Sequence, residues 1–406
     1  MTMRILHVVP YYVPAWRYGG PIKSVHGLCK GLASLGHDVH VFTTNIDGPA
    51  DSEVVLDTPV LIDGVKVWYF ASKNMRRLHW SPTLTRALGI HLPTFDVVHL
   101  HTIYLWPTTA AAHVARRAGI PYVLAPRGML VGDLINGKNR WVKKAWIACF
   151  EKRNLAHAAA VHFTSGIEAE QAAKLGIVPK AACIVANGLD VDEIAAADPG
   201  RQTDTNDVVG NEPFLLFIGR VNWEKGLDRL IRALPGVANC RLIVAGNDDN
   251  GYQQKLEGIA LERGVAHRIS FIGPVYGAQK AALLRQASAL VLPSYSENFG
   301  NVVLESMAAG CPVIVTPEVG AAEVVRQTGG GTVLHGSPEA LAAGINAMLA
   351  DPEKLREIGK RAHSAIATRF TWTAIAAEMD RIYRGIVSGR TADAGANPAP
   401  VEASSK

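Results

Sequence analysis

Residues 296–320 read SENFGNVVLESMAAGCPVIVTPEVG, the most informative segment of the chain. An apolar run, Ala289-Leu290-Val291-Leu292-Pro293-Ser294, leads into it, and a second, Pro312 to Thr316, follows its helical part. The pattern predicts strand, loop, helix, strand. One acid, Glu297, lies in the loop; a second, Glu305, lies about one turn into the helix. A helix N-terminus presents N–H groups without intrahelical partners and the positive end of a dipole, which suits a phosphate. Gly300 lets an anion approach the backbone closely, and Asn301 and Val302 open the helix. Glu305 sits where a carboxylate could receive the two hydroxyls of a ribose. Glu297 could meet a sugar carried by the phosphates. The plainer alternative is two helix-start acids favoured by the dipole.

The segment resembles the signature of retaining nucleotide-sugar glycosyltransferases of the GT-B architecture, the large family 4, or glycosyl transferases group 1. The family pattern is an acid, Phe-Gly, a second acid eight positions after the first, then a small-residue run ending Gly-x-Pro-Val-Ile. Here these are Glu297, Phe299-Gly300, Glu305 and Met307-Ala308-Ala309-Gly310-Cys311-Pro312-Val313-Ile314. The resemblance implies an α/β fold of two Rossmann-like domains facing across a cleft, with a C-terminal helix crossing back to the first. It implies transfer of a hexosyl group from a nucleoside-diphosphate sugar to an acceptor hydroxyl, with retention at the anomeric carbon. Phe299, Gly300, Asn301, Val302 and Glu305 would bind the donor, with N–H groups from Asn301 to Val303 on the diphosphate, and Glu297 would fix the sugar hydroxyls. It also implies bacterial-type polysaccharide assembly, of lipopolysaccharide or exopolysaccharide, on a sugar or lipid-linked saccharide acceptor.

The composition agrees with this. At 406 residues the chain has room for two domains with cores of their own. Hydrophobic residues at 48% and charged residues at 19% describe a globular protein. The net charge of +5 suits phosphate-bearing ligands or an anionic membrane surface, and no nucleic acid is expected as a partner. Cys29, Cys149, Cys183, Cys240 and Cys311 are scattered and odd in number, so reduced thiols in a cytoplasm are expected. Met1–Val9 reads as a short strand rather than a leader, and no apolar run is long enough to span a bilayer.

Apolar runs alternate with helical stretches throughout, the pattern of parallel sheets covered on both faces. Expected strands in the first half are 4–9, 38–43, 65–69, 97–101, 122–125, 161–164 and 183–185; in the second half they are 214–218, 241–245, 269–272, 289–292, 313–315 and 331–334. Helices are expected over 22–35, 108–118, 143–156 and 167–175. Residues 1–195 form the first, acceptor-side domain. The polar, turn-rich 196–212 is a linker. Residues 213–371 bind the nucleotide sugar, 372–387 make the crossover helix, and 388–406 a disordered tail.

Further motifs fall at strand ends, where parallel sheets place their sites. Gly219-Arg220 and Lys225-Gly226 follow strand 214–218. Two cations there could converge on a diphosphate, and desolvated cations beside a departing diphosphate stabilise its growing charge; solvated surface cations are the alternative. The family pattern Gly-Arg-x(3–4)-Lys-Gly matches at these positions. His99 and His101 lie on one face of strand 97–101 by their period of two. His99 reads as a core histidine and His101 as the outer one, and His101 matches the family's active-site histidine. Gly19-Gly20 follow the first strand. They do not form a dinucleotide fingerprint, and they match the family's Gly-Gly loop against the donor phosphates. Arg127, after strand 122–125, could meet an acceptor or a donor phosphate, or simply turn the chain. Asn187-Gly188 resembles a family turn with Ala186 in place of proline. Asp190-Val191-Asp192 reads as a helix start rather than a metal motif. Val244-Ala245-Gly246-Asn247-Asp248-Asp249 falls where the family holds the base.

Neither a cofactor nor a metal is expected, since no cluster has ligand spacing and cations with a helix N-terminus already face the diphosphate. Residues 138–153, KNRWVKKAWIACFEKR, interleave cations with Trp141, Trp146 and Phe150. With Arg76-Arg77-Leu78-His79-Trp80 they suggest peripheral docking on an anionic leaflet, against the alternative of a solvated helix with its tryptophans in the core. Two other functions stay open: a GT-B epimerase or phosphorylase, and a non-catalytic nucleotide-sugar-binding protein.

Overall fold

The computed structural model describes residues 1–130, 141, 145–195, 212–248 and 250–389. Residues 196–211 of the expected linker 196–212, residues 390–406 of the expected tail 388–406, and the cations Lys138, Arg140, Lys143 and Lys144 of the basic-aromatic stretch lie outside the described residues.

The contacts divide the chain into two units. The first takes residues 1–163, 171–185 and 376 onward; the second takes 164–170 and 186–375. The sequence reading put the boundary at 195, ten residues beyond the contact division at Val185.

The first unit carries an eight-stranded sheet. From one edge it runs Ala182–Ile184, Ala160–Phe163, Tyr122–Ala125, Val97–His101, Arg4–Val8, Asp38–Thr44, Val65–Phe70 and Pro59–Ile62. All pairs are parallel except the last. Continuous burial along Val97–His101 and Tyr122–Ala125 is what parallel strands covered on both faces require. The last strand, not foreseen from the sequence, forms a hairpin with Val65–Phe70. Its two-residue turn is Asp63-Gly64, both at positive φ (49° and 80°), the geometry Asp-Gly is suited to.

Helix Gly20–Ser34 buries Ile22, Val25, Leu28 and Leu32 on one face, at spacings of three and four. It starts two residues before the expected Ile22, because Pro21 at the first turn is pre-set for helix. The last helix among the described residues, Trp372–Val387, belongs to the first unit from Ala376 onward. It buries Ala376, Met379 and Tyr383, and Asp380 pairs with His37 at 2.9 Å. The crossover helix expected over 372–387 is therefore present.

The second unit carries six strands, all parallel, in the order Ile269–Phe271, Arg241–Ala245, Phe214–Ile218, Ala289–Leu292, Val313–Val315 and Gly331–Val333. Its helix Pro352–Arg369 starts on Asp351, whose carboxylate accepts from the N–H groups of Glu353 and Lys354 at 3.1 and 3.0 Å, the expected N-cap device. Both sheets are Rossmann-like, and the fold is α/β. No helix among the described residues is long and apolar enough to cross a membrane.

Candidate active site

In the second unit, Phe214–Ile218 is flanked by Arg241–Ala245 on one side and Ala289–Leu292 on the other. Strand order reverses here, and loops leaving neighbouring strand ends in opposite directions open a crevice. The loop after Phe214–Ile218 carries Gly219, Arg220 and Lys225. The loop after Ala289–Leu292 carries Glu297, Phe299 and Gly300. The two meet. Lys225 Nζ is ion-paired to Glu297 Oε2, with both side chains largely buried, and the Tyr295 N–H donates to the Glu224 carbonyl at 2.8 Å. Gly226 makes the crossing feasible: it sits at φ +64°, and a Cβ there would lie 2.1 Å from the Pro293 carbonyl oxygen, so no other residue fits. Arg220 is exposed. The ladder continues past it, because the Gly219 N–H donates to Ala245 O at 3.0 Å and the Val221 N–H to Asn247 O at 2.8 Å.

Gly300, at φ +88°, precedes helix Asn301–Ala308. The Val303 N–H donates to Gly300 O at 2.9 Å, so it is not one of the groups offered to a ligand, contrary to the sequence reading. The Asn301 side chain accepts from Asn187 Nδ2 at 2.9 Å. The Phe299 ring is buried in the core, so its side chain packs the loop. Glu305 is buried, with Oε2 ion-paired to Lys280 from helix Gly277–Gln286. The sequence reading missed Lys280 because no local pattern links it to Glu305, 25 positions away.

This arrangement makes the two acids separable. Glu305→Ala is expected to weaken nucleoside-diphosphate binding by about 10- to 100-fold, the value of hydrogen bonds to a charged group, with smaller loss of kcat, since a ribose contact is shared by ground and transition states. Glu297→Ala is expected mainly to depress kcat. Titration calorimetry and steady-state kinetics on both variants check this. Loss of affinity alone in both would remove the role given to Glu297.

In the first unit, Arg4–Val8 lies between Asp38–Thr44 and Val97–His101, and strand order again reverses there. His101 ends its strand, in register with Ala125, and Arg127 follows two residues after Ala125. Arg127 adopts φ +55°, an uncommon left-handed turn for a non-glycine residue. Its guanidinium lies 3.3 Å from His101 Nδ1. His101 Nε2 meets His7 Nδ1 at 2.9 Å, and the two rings stack. His101 is the outer of the two strand histidines along the chain, and its ring is as fully buried as that of His99. His99 is the core histidine the sequence suggested, sharing hydrogen bonds with the Tyr383 hydroxyl at 2.6 Å and with His162 at 3.3 Å.

Burial, then the Arg127 charge, pushes His7 down to about 3. The same causes, in the same order, push His162 to about 3 and His101 well below the ordinary histidine range. His99 is also held well below it, by burial and then by the neighbouring His101. All four rings are neutral near pH 7. His7 was missed because a histidine inside a strand reads as ordinary core. Gly19, at φ +70°, precedes helix Gly20–Ser34, and the place of a Cβ there is open. Gly19 thus ends the loop and Gly20 opens the helix. In the basic-aromatic stretch, Trp141 is exposed, whereas Trp146 is half-buried and donates from Nε1 to Glu151 at 2.9 Å. Arg76 is engaged with Asp51 at 2.5 Å.

Comparison with known proteins covers both halves. The model "Glycosyl transferase 4-like domain" matches residues 19–188 and "Glycosyl transferases group 1" matches residues 201–365. An uncharacterised glycosyltransferase of Methanocaldococcus jannaschii is 27% identical over 389 residues, 91% of this chain and 96% of that one. A D-inositol 3-phosphate glycosyltransferase of Catenulispora acidiphila is 27% identical over 410 residues, 93% of each chain. The structure of Anabaena HepE in complex with UDP and glucose superposes with a TM-score of 0.70 at 19% identity, covering 94% of this chain and all of that one. With two Rossmann-like sheets, and with family models matching both halves, the chain belongs to the group 1 glycosyltransferases of the GT-B class.

Proposed function

We propose that this protein moves a hexosyl group from a nucleoside-diphosphate sugar to an acceptor hydroxyl, with retention, in the assembly of a cell-surface polysaccharide. The observation that carries the reading is the pairing of Lys225, on the loop that also carries Arg220, with Glu297, next to Gly300 at the start of helix Asn301–Ala308. Breaking the bond between the sugar and the diphosphate leaves about one further negative charge on the phosphates. Arg220, Lys225 and the N–H groups of Asn301 and Val302 are the groups to receive it. Glu297 takes sugar hydroxyls and Glu305 the ribose. His101 and Arg127 serve the sugar and the acceptor from the first unit, with Gly19 and Gly20 against the donor. With cations and a helix N-terminus on the phosphates, no divalent ion is required. The acceptor is a sugar or a lipid-linked saccharide, reached at the inner face of the plasma membrane by a cytoplasmic protein whose stretch 138–153 docks peripherally on anionic lipid. The printed names of relatives, a D-inositol 3-phosphate glycosyltransferase and a complex with UDP and glucose, support a nucleotide-sugar donor.

A thermal-shift screen against UDP, GDP, ADP and their sugar conjugates tests the reading. One nucleotide is expected to stabilise selectively, by about 2.7 kcal/mol at 100 times its Kd, and the gain should disappear in Glu305→Ala. No stabilisation by any nucleotide would contradict it.

A further inference from the structure

Glu305 and Lys280 form a pair whose unused bonding capacity describes a ligand. Glu305 projects from helix Asn301–Ala308, and its Oε2 is paired with Lys280 Nζ from helix Gly277–Gln286. Both side chains are largely buried, 12% and 21% exposed. Neither charged group has a second partner among the described residues. Helix stability does not account for the lysine. Lys280 is the fourth residue of its helix, near the positive end of the dipole, where a cation is disfavoured. Glu305 is what holds it there.

A carboxylate offers about four acceptor sites and an ammonium three donors. The pair spends one of each, which leaves open acceptors and open donors side by side. A phosphate would suit Lys280 and be repelled by Glu305. A ligand ammonium would suit Glu305 and be repelled by Lys280. A hydroxyl suits both, because it donates one proton and accepts through two lone pairs. Two neighbouring hydroxyls, as on a ribose, use the pair most fully.

The hydroxyls join the pair rather than displace the lysine. Parting a largely buried ion pair costs more than a hydroxyl bonded to the freed carboxylate returns. Lys280 also offsets the charge of Glu305, which otherwise repels an anionic diphosphate at the start of the same helix.

We propose that Lys280 is a specificity-determining residue of the donor site: it donates to the oxygen of a ribose hydroxyl whose proton Glu305 accepts, and the two together select ribose over deoxyribose. The proposal rests on the reading of Glu305 as the ribose contact.

The test is titration calorimetry on the full chain, with UDP, GDP and ADP each compared with its 2′-deoxy and 3′-deoxy forms. The wild type is expected to bind the ribose form of its preferred nucleotide about 10- to 100-fold more tightly than at least one deoxy form. Lys280→Met keeps the length of the side chain without its charge or donors. It is expected to weaken the ribose form by about tenfold or more and that deoxy form by less than about threefold, so that the preference collapses. Lys280→Arg keeps charge and donors and is expected to keep the preference. Lys280→Ala, which leaves room for water beside Glu305, repeats the measurement if the methionine variant does not fold.

Equal weakening of ribose and deoxy forms in Lys280→Met would overturn the proposal, since the pair would then only support the fold. Tighter binding of the ribose form would also overturn it, because Lys280 would be a competitor of the ribose. So would a preference kept in Lys280→Met but lost in Glu305→Ala. Failure of the underlying reading looks different: Glu305→Ala would then bind the nucleotides as the wild type does.

Discussion

Lys225→Ala and Arg220→Ala are each expected to lower turnover by about a hundredfold or more, near 2.7 kcal/mol of transition-state stabilisation. Removal of one preorganised donor from a site of developing charge costs this much because nothing in water replaces it without reorganisation. The two variants should differ in their other effects. Arg220 is exposed, so its loss should leave the melting temperature unchanged. Lys225 holds Glu297 in a largely buried ion pair, and its removal leaves that carboxylate without its cation, so a lower melting temperature accompanies the lost activity. Steady-state kinetics with thermal unfolding of each variant checks both halves. Near-normal kcat in either would move the diphosphate elsewhere.

Acid is expected to destabilise the first unit strongly. In the unfolded chain, a histidine takes its proton near pH 6.5. In the folded unit His7 and His162 resist protonation down to about 3, with burial as the main cause, and His99 and His101 are also held well below their ordinary range. Between these values the unfolded state binds more protons, so stability rises with pH. The contribution is complete above the unfolded value and is lost as pH falls from 6.5 towards the folded values. At pH 5.5 His7 and His162 each cost about 1.4 kcal/mol, roughly 3 kcal/mol for the two, and His99 and His101 act in the same direction. Denaturant unfolding at pH 7.5 and 5.5 measures it. Equal midpoints at the two pH values would show that the rings are not held neutral as described.

Much of the fold was legible because parallel strands buried on both faces are written as uninterrupted apolar runs. Strands 97–101, 122–125, 214–218, 241–245, 289–292 and 313–315 have the bounds the sequence suggested. The hairpin Pro59–Ile62 was equally legible. Asp63-Gly64 is its turn signal, passed over because an edge strand that alternates between half-buried and exposed residues looks like loop. The site was legible where a local motif spelled it, at Arg220, Lys225, Glu297 and Glu305. Lys280 and His7 were not, since each joins its partner only through the fold. His7 meets His101 because their strands are parallel neighbours, 94 positions apart in sequence. The burial of His101 has the same origin. Strand period assigns a face, but the rings and the guanidinium that cover that face come from two other strands and their loops.

The most direct test of the account is the product itself. A nucleoside-diphosphate hexose is incubated with an acceptor in the presence of EDTA, nucleotide release is followed, and the anomeric configuration of the new linkage is read by NMR. The account predicts acceptor-dependent release of the nucleoside diphosphate, a product with the donor's anomeric configuration, and a rate unaffected by the chelator. An inverted linkage, turnover of the nucleotide sugar without any acceptor, or activity lost in EDTA and restored by Mg²⁺ or Mn²⁺ would contradict it.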